Sequence, residues 1–142
     1  MLISKENITS IIPHRDPVLM IDHLLFQDEK YTRTSFKIEP NNIFVSNSKF
    51  TEAGIIENIA QSSAAGSGYY YLQNKKSQPL TFIASISNLQ ILKNASAGEE
   101  IFTEIELMDS VMNFNIICGK CFLDDILIAS CEMKVMIENN QI

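Results

Sequence analysis

The chain has 142 residues, 46% of them hydrophobic, and a formal net charge of −6. That is the size of one ordinary domain, with enough apolar side chains to fill a core. The acidic balance argues against a nucleic-acid binder with a basic face, and no uncharged apolar run of about 18 residues is present to form a spanning helix.

The opening MLISKENITS has neither the basic start nor the long apolar run of a signal peptide, so a cytoplasmic protein is expected. Residues 5–12 predict a short helix, with Ile8, Ile11 and Ile12 at helical spacing. Pro13 stops it, because the residue before a proline is pushed out of the helical region. Residues 18–28 open on the apolar run Val18–Ile21 and predict a strand. Residues 31–39 alternate, with Thr32, Thr34, Phe36 and Ile38 on one face, which predicts a half-buried strand. Pro40-Asn41-Asn42 closes it with turn chemistry.

The longest helical signal follows. Thr51 suits the N-cap, and Glu52 suits the first turn, where an anion meets the positive end of the helix dipole. Ile55, Ile56, Ile59, Ala60, Ser63 and Ala64 recur at spacings of three and four in a proline-free run that reaches Leu72. The second half is rich in small residues, from Ser62 to Gly68. A glycine inside a helix costs about 1 kcal/mol relative to alanine. Gly66 and Gly68 therefore predict a close approach to a neighbouring backbone. The run Tyr69–Tyr71 reads as core or dimer packing.

Past Pro79 the chain predicts four long strands: Leu80–Leu92, Glu100–Val111, Asn113–Phe122 and Ile126–Ile137. Ala97-Gly98-Glu99 and Asp124-Asp125 are turns. The order implies an α+β fold with an antiparallel sheet, not βαβ alternation. One helix cannot cover both faces of six strands. The sheet is expected to curl round the helix as a single domain, residues 1–142, with its edge or open face covered by a second copy. Of the three cysteines, Cys118 and Cys121 spell C-x-x-C, but their flanks read as strand, where positions i and i+3 point to opposite faces. With no second ligand pair, neither a metal nor a cofactor is expected.

Four stretches carry a resemblance. Residues 12–23, "IPHRDPVLMIDH", are similar to L-P-H-R-x-P-F-L-L-V-D-R, the opening motif of the 3-hydroxyacyl-[acyl-carrier-protein] dehydratases. "GIIENIAQSSAA", starting at Gly54, resembles their central-helix segment G-V-L-I-x-E-A-M-A-Q-x-x-A. "NASAGEEI" stands where they have P-G-D-x-L, and "FLDDILIASCEM" resembles their closing hairpin. The resemblance covers nearly the whole chain and implies the hotdog fold. One motif departs: residues 42–50 contain no histidine and are several residues shorter than the family's G-H-F-P region, whose histidine is the catalytic base. This resembles the divergent aryl-polyene and flexirubin-type dehydratases, which keep P-H-x-x-P-M-x-L-L-D and E-x-M-A-Q.

Dehydrating a 3-hydroxyacyl thioester needs a base at the α-carbon, an acid for the departing hydroxyl and a donor for the thioester oxygen. The resemblance points to Glu57 as the acid, with Gln61 one turn on, able to orient it by an i, i+4 hydrogen bond and assigned to substrate binding. His14 is the histidine with a matching motif. Imidazoles titrate near neutrality, so with the usual base missing it is the candidate base; its alternative is a structural turn residue. His23 is a weaker candidate. Backbone N–H groups of Ala53 and Gly54, at the helix start, are candidates to bind the thioester oxygen, and Gly54 lacks a Cβ to obstruct a ligand. The expected partner is acyl carrier protein; Arg15, Lys75 and Lys76 are candidates to meet it, their alternative being solubility, and the six methionines suit an adaptable acyl tunnel or plain core. A homodimer or higher homo-oligomer is expected, a heterodimer being the other arrangement. The alternatives to an active dehydratase are a non-catalytic or half-catalytic subunit and a hotdog thioesterase.

Overall fold

The computed structural model describes residues 1–138; residues 139–142, the end of the expected single domain, lie outside the described residues. A 3₁₀ turn, Lys5–Ser10, leads to β1 (His23–Gln27) and β2 (Tyr31–Lys37). A small hairpin of β3 (Val45–Ser46) and β4 (Lys49–Phe50) precedes the helix α1 (Glu52–Gln73). The rest is strand: β5 (Thr81–Ile91), β6 (Glu100–Val111), β7 (Phe114–Leu123) and β8 (Ile126–Ile137). Six strands form one antiparallel sheet in the order β1-β2-β6-β7-β8-β5, and α1 packs on its inner face. The α+β hotdog architecture is the one expected.

The inner face follows from strand alternation. Thr32, Thr34 and Phe36 of β2 and Ile101, Thr103 and Ile105 of β6 point inward and are buried. Ile55 and Ile59 of the helix join Phe36, Ile101, Ile105, Ile117 and Met133 in the main core. Each such buried side chain contributes about 1.5–3 kcal/mol. A Cβ on Gly119 would run into the Ile59 side chain, so this glycine of the C-x-x-C stretch makes room where the helix crosses β7. A second cluster, Ile8, Ile11, Ile12, Ile21, Leu24 and Ala65, seals the N-terminal segment against the helix.

Three local expectations change, and one element was not expected. The predicted helix 5–12 is a 3₁₀ turn that ends at Ser10, where the Ile11 N–H bonds back only to Ile8. The predicted strand 18–28 starts at His23, because the backbone of Val18 and Met20 is bonded to helix side chains and not to a strand. Thr51 occupies the N-cap in an extended conformation, but its side chain makes no capping bond. The hairpin β3–β4 was unmarked in sequence: its two turn residues, Asn47 and Ser48, both have positive φ without any glycine. The helix glycines do mark close approaches. A Cβ on Gly68 would overlap the carbonyl oxygen of Ile11, and one on Gly66 the Thr32 side chain.

Candidate active site

His14 sits in the loop between the 3₁₀ turn and β1. Arg15 Nη1 donates to the carbonyls of Ile12 and His14, both at 2.8 Å, so one arm of its guanidinium knits the loop together. The Val18 N–H bonds to the Arg15 carbonyl at 3.0 Å and closes a turn around the cis Asp16–Pro17 peptide. Downstream, the loop is gripped by the helix. Gln61 Oε1 accepts from the Met20 N–H at 2.6 Å, and Gln61 Nε2 donates to the Val18 carbonyl at 2.7 Å. Asp22 ends the segment, accepting from the Lys37 N–H at 2.8 Å.

This grip puts the loop beside Glu57. His14 and Glu57 line one cavity of about 290 Å³, together with Ala60, Ser63, Ser67 and Thr81. Gln61 Nε2 also donates to Glu57 Oε2 at 2.9 Å, the i, i+4 bond expected from the spacing. His14 Nδ1 is enclosed and has no hydrogen-bond partner among the described residues. Buried polar atoms are almost always paired, so an orphan of this kind calls for an explanation. A second cavity of about 420 Å³ shares Ser63, Ser67, Thr81, Asn115 and Ile137 with the first and runs on to Tyr70 and Tyr71. Two residues of the Tyr69–Tyr71 run, expected as core or dimer packing, thus face a cavity. No methionine lines either cavity, and Met20 and Met133 lie in the main core, the plain packing alternative.

The remaining sequence candidates fall elsewhere. Gln61 is fully buried and both its amide hydrogens are used, so it holds Glu57 and is not free to bind substrate. Ala53 and Gly54 are not in the lining of the cavity shared by His14 and Glu57. The bare face of Gly54 is filled: a Cβ there would lie 2.6 Å from the Phe50 ring and 2.9 Å from Phe44 Cβ. The glycine admits two aromatic residues from the β3–β4 region, not a ligand. His23 turns to the N-terminus, its Nδ1 accepting from the Lys5 N–H at 3.0 Å.

A family model, ApeP-like (ApeP dehydratase), matches residues 6–141. The chain belongs to this family. It is also similar to the 3-hydroxyacyl-[acyl-carrier-protein] dehydratase FabZ of Actinobacillus pleuropneumoniae, 25% identical over 142 residues, covering 95% of this chain and 90% of the relative. FabZ of Bacillus thuringiensis is 28% identical over 113 residues, covering 75% and 76%. Among solved structures, the dehydratase heterocomplex ApeI:P from Xenorhabdus doucetiae superposes with a TM-score of 0.85 at 12% identity, covering 94% of this chain and 91% of that one, a likeness of fold.

In this ApeP-like dehydratase burial disfavours the thiolate at all three cysteines. Loss of water on burial pushes the Cys121 thiol up to about 12 and Cys131 up to about 11, far from thiolate formation at neutral pH. Cys118 stands on the opposite face of β7 from Cys121 and is raised as well, again first by burial. Sequence reasoning overlooked the polar interior of the helix. Asn58, Gln61 and Ser62 are all fully buried, and the Ser62 hydroxyl bonds that of Thr34 at 2.7 Å. Their signal was present in the spacing 58, 61, 62, which follows the buried side of the helix, but periodicity counts only apolar residues.

Proposed function

We propose that this chain removes water from 3-hydroxyacyl thioesters held on acyl carrier protein in the cytoplasm, giving trans-2-enoyl thioesters. One observation carries the reading: His14, with an orphaned ring nitrogen, lines the same cavity as Glu57, whose carboxylate Gln61 holds in place. The imidazole takes the proton from C2. The C3–O bond breaks as the C2=C3 double bond forms, and Glu57 in its acid form gives the leaving hydroxyl the proton with which it departs as water. Atoms and electrons balance with no oxidant or reductant. Because Gln61 occupies Glu57 Oε2, the other oxygen is the one left for the substrate. The acyl chain extends into the adjoining cavity toward Tyr70 and Tyr71, whose size falls within the range of small-molecule sites.

Positioned acid–base groups contribute about 10²–10⁴-fold in rate. Glu57→Gln and His14→Asn are each expected to slow dehydration of a 3-hydroxyacyl thioester by at least about 100-fold, with the oligomer and the thermal transition kept. An unaltered rate in either variant removes that residue from the chemistry. Hydrolysis of the thioester in place of water loss would turn the assignment to a thioesterase.

A second reading is favoured by the β3–β4 hairpin, which has no histidine where the related dehydratases carry one, and by the open edge of β5. In it the chain completes a heterodimer whose partner brings the base; the similar ApeI:P is by its name a dehydratase heterocomplex. The chain alone would then be inert, and mixing with a second dehydratase subunit would restore turnover. Turnover by the pure chain eliminates this reading.

A further inference from the structure

Asn58 follows Glu57 and is 0% exposed in the middle of the core. Burying an amide is costly unless its groups are bonded. Nδ2 donates to the Met20 carbonyl at 2.8 Å. Oδ1 accepts from the Thr103 hydroxyl at 2.6 Å, with Cys121 Sγ at 3.7 Å. Met20 is also the residue whose N–H is held by Gln61. Two helix side chains thus hold both backbone polar groups of one loop residue. An alanine at this position, as in the related motif E-A-M-A-Q, would leave the Met20 carbonyl and the Thr103 hydroxyl without these partners.

We infer that Asn58 is a positioning residue for the dehydration, locking the Met20 carbonyl to the helix and thereby holding the His14 loop against Glu57. The inference rests on the roles proposed above for His14 and Glu57. Gln61 alone cannot fix this geometry, because it bonds the loop and Glu57 with the same amide and the two can shift together. Asn58 holds the Met20 carbonyl, a backbone group Gln61 does not reach, while Thr103 only satisfies the other end of the Asn58 amide.

The test compares Asn58→Ala with Thr103→Val in the oligomer as purified. Both remove a buried hydrogen bond, but only the first releases Met20. Asn58→Ala is expected to lower kcat about tenfold with KM altered less than about twofold, about the cost of one lost charge-free buried bond in positioning. Thr103→Val, assayed at the same interval below its own Tm, should keep kcat within about twofold on the same argument. The His14 ring signals in a ¹H–¹³C spectrum, assigned by their loss in His14→Asn, should shift or broaden in Asn58→Ala and not in Thr103→Val. If Asn58→Ala does not fold, the pair Asn58→Leu/Thr103→Val replaces both partners by apolar groups and is expected to give the same kcat loss and ring shift. Equal kcat losses in the two single variants, or His14 signals indifferent to Asn58, would overturn the inference. The ring signals need no turnover, so a wild-type chain that dehydrates nothing sinks the proposed function while they still decide the role of Asn58.

Discussion

Asp22 shows at the residue scale how this loop is held at some cost. Its carboxylate is buried between the Lys37 N–H, 2.8 Å away, and Lys5 Nζ at 3.9 Å from the other oxygen. Loss of water raises its pKa above the ordinary value of 3.8, and the Lys37 amide and the Lys5 charge only partly oppose that. A raised folded value means that the folded state binds the proton more tightly than the unfolded chain. The resulting stability is fully present below pH 3.8 and is lost as pH rises through the folded value. Asp22→Asn keeps an acceptor for Lys37 and has no charge to desolvate. Its stability relative to wild type, from urea midpoints, is expected to increase between about pH 4 and pH 7; a flat or falling difference would contradict the burial argument. Gln61 belongs to the same scale: the i, i+4 spacing was enough to foresee its bond to Glu57. Its two bonds to Val18 and Met20 were not foreseeable, because they join residues some 40 positions apart.

At the scale of elements, α1 gains its place from what its residues lack as much as from what they bury. Gly68 lies against the Ile11 carbonyl, a backbone atom that cannot swing away. Gly68→Ala would gain about 1 kcal/mol of helix propensity. Forcing a methyl group into a filled site costs about 1–3 kcal/mol, and contact with backbone puts this case at the upper end. A net loss of about 1–2 kcal/mol is expected, seen as a Tm lower by several degrees. A raised Tm would mean that the 3₁₀ turn is not held against the helix. The strands β6 and β8 were legible to the residue, since long β-branched runs bounded by Gly98 and Asp124-Asp125 leave little ambiguity. The segment Val18–Met20 was misread for a physical reason: its apolar residues are those of a strand, but the Val18 carbonyl and both backbone polar groups of Met20 are bonded to side chains of the helix.

For the whole molecule, β5 is the feature that asks for a partner. It is an edge strand, exposed along most of its length, with Phe82 49%, Ile83 41% and Ile86 39% accessible. A long apolar edge left open is a site for pairing with another chain. Phe82 and Ile83 also line the cavity that holds His14 and Glu57, so whatever covers this edge also walls the site. Ile83→Lys/Ile86→Lys is expected to shift the protein toward monomer in sedimentation equilibrium and to depress dehydration with it. An oligomer indifferent to both lysines would place the interface elsewhere.

The sequence by itself determined the order of the long helix and the six sheet strands, the α+β class and the pairing of Glu57 with Gln61, because periodicity, turn chemistry and helical spacing are local properties. Through its motifs it also singled out His14. Only the tertiary structure decided that His14 and Glu57 share a cavity, that Gly54 is closed by Phe50 and Phe44, and that Asn58 holds Met20. Each of these depends on which distant segment the helix meets. That is settled when the sheet closes on the helix and every buried polar group has to find its partner.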